Sequence, residues 1–218
     1  MTITTSGPIG TAHAMDQAFA GVACHFIDRR GTARLLDVQQ WRAEADGGDL
    51  ALFVDPCSGT TLDIGCGPGR LAAALSARGV PAMGIDLSIE AIRQARDRGA
   101  VAIRRDVFST VPGEGRWDHA LLADGNLGIG GDPVRLLGRV ADLIRHGGEI
   151  IAEVDPEGTG VVREQVRLRV GERMTAPFAW ASVGIDGIDA VASAAGLVVV
   201  GTQSVSGRHT ATLRRAVW

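Results

Sequence analysis

The chain has 218 residues, 45% of them hydrophobic and 22% charged, which suits one α/β domain with a substantial core. A net charge of −3 with no run of Lys or Arg lacks the footprint of a nucleic-acid binder and favours a small or peptidic partner. No stretch approaches the roughly eighteen apolar residues that a spanning helix needs, so no membrane association is expected. Cys24, Cys57 and Cys66 form no C-x-x-C pair and have no metal spacing, and the first residues are polar. Together these point to the cytoplasm. Tyr is absent, so any aromatic recognition has to come from four Trp and five Phe.

Residues 1–59 precede the first clear strand and carry helical patterning around 14–20 and 36–45, which predicts a helical cover segment. Within it, Cys24-His25-Phe26-Ile27-Asp28 holds two candidates for a general base, His25 and Asp28, although each alone has an ordinary structural explanation. Residues 60–64 read as a short buried strand and 69–78 as a helix. Between them stand Gly65, Gly67 and Gly69, a strand-to-helix turn that lets a ligand press on the backbone. Asp63 ends the strand where a phosphate site would want no acid, so the ligand is expected to be cationic or hydroxyl-bearing. The dinucleotide fingerprint G-x-G-x-x-G needs a glycine where Arg70 stands, and the phosphate loop G-x-x-x-x-G-K-[ST] is absent. Arg70 itself reads as a surface side chain at the helix start.

A second strand over 80–85 ends in Asp86, 23 residues after Asp63 (86 − 63). A carboxylate there offers two acceptor oxygens to paired hydroxyls of a ligand. Ser88 and Glu90 then start a helix over 88–98, and a third strand over 100–105 ends in Asp106-Val107. A fourth strand over 117–123 ends in Ala123 and runs into Asp124-Gly125-Asn126-Leu127-Gly128-Ile129-Gly130-Gly131-Asp132-Pro133. Its four glycines at a strand's carboxyl end read as backbone that a ligand approaches. A helix over 133–145 follows, with His146 as a positive end-cap and Gly147 closing it, and then a fifth strand over 149–154. Residues 156–183 break the repeat, with 161–170 alternating like an added strand and Phe178-Ala179-Trp180 behind it. A helix over 185–195 and strands over 197–205 and 208–215, joined by Ser206-Gly207, complete the chain. The alternation predicts a doubly wound, seven-stranded, mostly parallel sheet whose last strand is antiparallel.

Leu62-Asp63-Ile64-Gly65-Cys66-Gly67-Pro68-Gly69 resembles motif I of the class I S-adenosylmethionine-dependent methyltransferases, and the later strand ends fall where that family has its cofactor and substrate loops. The resemblance covers 60–155 firmly and 184–215 in outline. It implies a cover segment over 1–59 and a cofactor domain over 60–218, in which the insertion 156–183 shields the acceptor. It also implies S-adenosylmethionine as cofactor, with Asp63, Gly65, Cys66, Gly67 and Gly69 around methionine. Asp86 and Leu87 would serve the ribose side, Asp106 and Val107 the adenine, and Ala123 and Asp124 would close the site. Asp124 joins His25 and Asp28 as a catalytic candidate, while Phe26, Asn126, Phe178 and Trp180 are expected to hold the acceptor. Asp124 and Asn126 suggest no third ligand, so no metal is expected. The run after Ala123 is similar to bacterial methyltransferases of natural-product pathways, which implies a small acceptor and a monomer or homodimer. Two other readings stay open: a protein that binds the cofactor without transferring methyl, and a nicotinamide-dependent oxidoreductase.

Overall fold

A computed structural model describes residues 7–216. The cover opens with α1 (Thr11–Phe19), β1 (Cys24–Ile27), β2 (Ala33–Leu35), α2 (Val38–Arg42) and the single turn α3 (Gly47–Asp49), which a π-helical turn over Leu50–Val54 continues. The repeat follows as β3 (Thr61–Ile64), α4 (Arg70–Ala77), β4 (Ala82–Asp86), α5 (Ile89–Asp97), β5 (Ala102–Arg104), β6 (Trp117–Leu122), α6 (Pro133–Leu143) and β7 (Ile144–Val154). Then come the added strands β8 (Val161–Val170), β9 (Arg173–Met174) and β10 (Phe178–Val183), then α7 (Ile188–Ala194), β11 (Leu197–Val205) and β12 (Arg208–Arg215). No helix among the described residues is long and apolar enough to cross a membrane.

The main sheet has seven strands in the order β11-β12-β7-β6-β3-β4-β5. β3 lies between β4 and β6, parallel to both, and β12 alone runs against its neighbours β7 and β11. Local chemistry sets the helix starts. The Ser88 hydroxyl accepts the Ala91 N–H at the head of α5, and Asp132 accepts that of Arg135 ahead of Pro133 in α6. α6 and α7 pack Leu136, Leu137, Val140 and Val191 on one face of the sheet. Leu52, Phe53, Leu71 and Leu75 cover the other, each such side chain contributing roughly 1.5–3 kcal/mol by its burial.

Two expectations need correction. α6 ends at Leu143, and the chain passes straight into β7 from Ile144, so His146 and Gly147 lie within a strand and neither caps a helix. Ile144 pairs with Trp117, and a Cβ on Gly148 would lie 3.0 Å from the Trp117 and Asp118 carbonyl oxygens, so the strand needs glycine to stay close to β6. The second correction concerns the N-terminal cover, which is not simply helical. β1 pairs with β2 on one side and with β8 on the other, and β8 also pairs with β9 and β10. Residues from both non-repeating segments therefore build one antiparallel sheet. Ile9, Ala14, Phe19, Cys24, Leu168 and Val170 are buried together beneath it.

Candidate active site

The carboxyl ends of β3, β4, β5, β6 and β7 open into one cavity of about 740 Å³, roofed by α1, β1 and β10. Its floor at β3 is the glycine turn. Gly65 and Gly67 stand at φ 71° and 51° and both line the cavity. The Asn126 side-chain amide donates to the carbonyls of Ile64 and Gly65, each at 3.0 Å, and a Cβ on Gly65 would lie 2.6 Å from its nitrogen. The Gly67 N–H donates to Asp86 Oδ2 at 3.0 Å, while Asp86 Oδ1 accepts from Ser88 N–H at 2.8 Å. Burial pushes the Asp86 carboxyl up against these donors. Asp106 Oδ1 accepts the Phe108 N–H at 2.9 Å, and Leu87, Val107 and the buried Cys66 complete this end.

Asp63 is 2% exposed, and its Oδ2 has no hydrogen-bond partner within the protein. Burial, opposed by the nearby Arg70 charge, raises its carboxyl to about 7. A buried acid in this condition calls for a cation. Beside it lies a chain of charges joining five parts of the fold. Arg70 pairs with Asp49 and, at 2.5 Å, with Asp124. Arg208, from β12, pairs with Asp49 at 2.7 Å and Glu153 at 2.8 Å. Asp124 takes φ 54°, unusual for a residue with a side chain, and its N–H donates to Glu153 at 2.6 Å. Burial pushes Asp124 up despite Arg70; for Asp49 it acts the same way, but bonds from Arg70 and Arg208 hold that carboxyl down.

At the other end, Phe26, Phe178 and Trp180 form an aromatic wall, with Trp180 edge-on to Phe26 at 6.3 Å and to Phe178 at 6.4 Å between ring centres. Asp155 and Ser182 lie beside it.

Several expected site residues sit elsewhere or act differently. Alternation along β1 turns Phe26 into the cavity and His25 to the opposite side, and His25 does not line it. Asp28 is also off the cavity: its carboxylate accepts the N–H groups of Arg30 and Thr32 at 2.8 Å in the β1–β2 turn, which hold it below its usual range. Gly69 does not line the cavity either. Its φ is 78°, and a Cβ there would lie 2.7 Å from that of Ala95, so it lets α5 approach α4. Asn126 lines the cavity, but its amide donors hold the glycine turn.

Of the glycines after Ala123, Gly125, Gly128 and Gly130 line the cavity, and Gly128 and Gly131 also seat a neighbouring strand. Cβ atoms on Gly128 and Gly131 would collide with Trp180, Ala181 and Ala179 of β10. At Gly128 and Gly131 the close approach is protein to protein, and the turn is seated against the cover.

Arg70 is the residue that sequence reasoning missed most clearly, being 4% exposed and inside the ion-pair chain. A signal existed: a cation at the first position of a helix opposes the dipole, so it needs carboxylates nearby. Asp49, Glu153, Asp155 and Arg208 carried no such mark.

Residues 61–148 match the family model described as a methyltransferase domain. No curated protein matches the chain. Among solved structures, the chain is similar to an S-adenosylmethionine-dependent methyltransferase from Bacteroides fragilis crystallised with S-adenosylhomocysteine, at 18% identity and a TM-score of 0.75, over 94% of each chain. It is also similar to the 1,6-didemethyltoxoflavin N1-methyltransferase of Burkholderia thailandensis, at 18% identity and a TM-score of 0.60, over 98% of this chain and 94% of that one. The CcbJ methyltransferase of Streptomyces caelestis matches at 18% identity and a TM-score of 0.60, over 79% and 90% respectively.

Proposed function

We propose that this chain, whose residues 61–148 match a methyltransferase-domain model, is a class I S-adenosylmethionine-dependent methyltransferase that transfers the methyl to a small-molecule acceptor held beneath its two-part cover. The observation that carries the reading is the single cavity, which runs from the glycine turn and the unpartnered Asp63 to the aromatic wall on β1 and β10. The residues present fit the cofactor. Gly65, Cys66 and Gly67 offer backbone to the methionine end, and Asp63 faces the ammonium. Asp86 takes the ribose hydroxyls beside Leu87, and Asp106 and Val107 take the adenine. Ala123 and Asp124 close the floor at β6. S-adenosylmethionine supplies a methyl that is electrophilic through its sulfonium and needs no activation by the protein.

The protein's part is then alignment and exclusion of water. Arg70 and Arg208 fix Asp124 and the end of β6, while Phe26, Phe178 and Trp180 hold the apolar part of an acceptor against the cofactor end. A small-molecule acceptor agrees with the Burkholderia thailandensis neighbour, which was crystallised with 1,6-didemethyltoxoflavin bound. Three buried, unpaired cysteines suit a reducing cytoplasm. We read the boundary at residue 59/60 as the start of the cofactor domain, with 1–59 and 156–183 shared as cover. Isothermal titration with S-adenosylhomocysteine tests the assignment. Binding is expected, and binding of NAD in its place would reverse the reading in favour of an oxidoreductase.

A further inference from the structure

Six carboxylates line the cavity: Asp63, Asp86, Asp106, Asp124, Glu153 and Asp155. Four are engaged. Asp86 and Asp106 accept backbone N–H groups, and Asp124 and Glu153 are paired with Arg70 and Arg208. Asp63 belongs to the cofactor end. Asp155 remains, and it makes no ion pair among the described residues.

Asp155 follows directly on β7. Its N–H donates to the Val183 carbonyl at 2.8 Å, and it forms an isolated bridge with Gly184, so it is fixed alongside β10. That places it in the same corner as Ser182, Trp180 and Phe26. Burial pushes its carboxyl above the ordinary value, opposed by a hydrogen bond from Ser182, while the Glu153 charge raises it further. Arg34 pulls it down from beyond ion-pair distance; the guanidinium of Arg34 lies over the Phe26 ring, 5.5 Å from its centre, on the exposed β2. The corner thus joins apolar ring surface to one half-buried acid that no cation pairs among the described residues.

We propose that Asp155 is the acceptor-binding carboxylate and that the acceptor is an aromatic molecule carrying a basic nitrogen, its ring on the Phe26–Trp180–Phe178 wall and its nitrogen paired with Asp155. The inference rests on the methyltransferase reading and narrows its substrate class. A cation here neutralises an acid already displaced from water and gains from the facing rings. A carboxylate or phosphate in its place meets the unpaired Asp155 with like charge, which selects against acidic acceptors.

Two probes of equal ring and spacer, phenethylamine and 3-phenylpropanoate, are titrated calorimetrically into the full chain, with and without saturating S-adenosylhomocysteine. The amine should bind about tenfold more tightly or better. Asp155→Asn should erase the preference with S-adenosylhomocysteine affinity within about twofold of wild type, and Asp155→Glu should keep it. Equal or tighter binding of the carboxylate, binding of neither probe, or a preference that survives Asp155→Asn overturns the proposal. Failure of S-adenosylhomocysteine to bind, with the amine preference intact in its absence, strikes the methyltransferase reading alone.

Discussion

At the ends of β3, β4 and β5 the cavity is largely made of backbone and strand-end acids, whereas beneath β10 it is made of large side chains from two distant segments. The first end rests on Gly65 and Gly67 at positive φ, tied by Asn126 and Asp86. The second depends on the pairing of Phe26↔Leu168 and Phe178↔Val166 through β8. A turn of fixed backbone suits a ligand that does not change. A wall of side chains on added strands can be altered without disturbing the sheet, which suits the variable partner. Between the two lies the Asp49–Arg70–Asp124–Arg208–Glu153 chain.

The largest expected effect comes from cutting that chain. Arg70→Met leaves Asp49, at 1% exposure, short of one of its two cations and leaves Asp124 only Arg208, at 3.7 Å. Breaking a buried pair from one side should cost about 3–5 kcal/mol, read as a lower denaturant midpoint. A loss below 1 kcal/mol would mean that the two ends are joined by packing and not by charge.

Asp63 gives the next effect, and it changes with pH. Burial raises the folded carboxyl from 3.8 to about 7, so the unfolded chain ionises first. The stability associated with the protonated acid is whole below pH 3.8 and is lost as pH rises through about 7. Without cofactor, Asp63→Asn should therefore be more stable than wild type at pH 8, by on the order of 2–4 kcal/mol, and equal to it near pH 4. The same change should weaken S-adenosylhomocysteine binding tenfold or more, by about 1.4 kcal/mol or above. Unchanged stability at pH 8 would show that the site does not strain this acid.

Trp180→Ala addresses the other end. It should weaken phenethylamine binding about tenfold and leave S-adenosylhomocysteine affinity nearly intact. Equal losses for both ligands would erase the distinction between the ends. Trp180 also packs on Gly128, so thermal melting has to accompany the titration.

The fold and the first end were legible because their causes are local in sequence. Asp63 and the glycines lie within seven residues, and β8, β11 and β12 span 161–170, 197–205 and 208–215 as alternation predicts. The second end was legible only in part. Phe26, Phe178 and Trp180 line the cavity, but nothing in residues 24–28 says that β1 will pair with β8, and that pairing decides which side chains face inward. Arg70 was misread for the same reason: two of the charges around it, Asp49 and Arg208, are separated by 159 residues (208 − 49) and meet only in the fold. That Gly128 and Gly131 also seat β10 was not legible, because a small residue reports close approach without saying by what.

His25 provides the smallest expected effect and the sharpest check on how the second end is assembled. On β1 it is the neighbour of Phe26, and in a strand successive side chains point to opposite faces. Phe26 enters the cavity, so His25 is turned away from it, and the register His25↔Arg169 and His25↔Leu35 fixes that choice on both flanks. A slip of one residue against β8 would exchange the two, placing an imidazole beside Trp180 and a phenyl ring outside. His25→Gln should therefore leave S-adenosylhomocysteine and phenethylamine affinities within about twofold of wild type, with stability changed by about 0.5 kcal/mol or less, as at other surface positions. A tenfold loss of probe binding with cofactor binding intact would show that His25 faces the acceptor. The pairing of the two added segments would then be one residue out of register, and the aromatic wall would have to be rebuilt without Phe26.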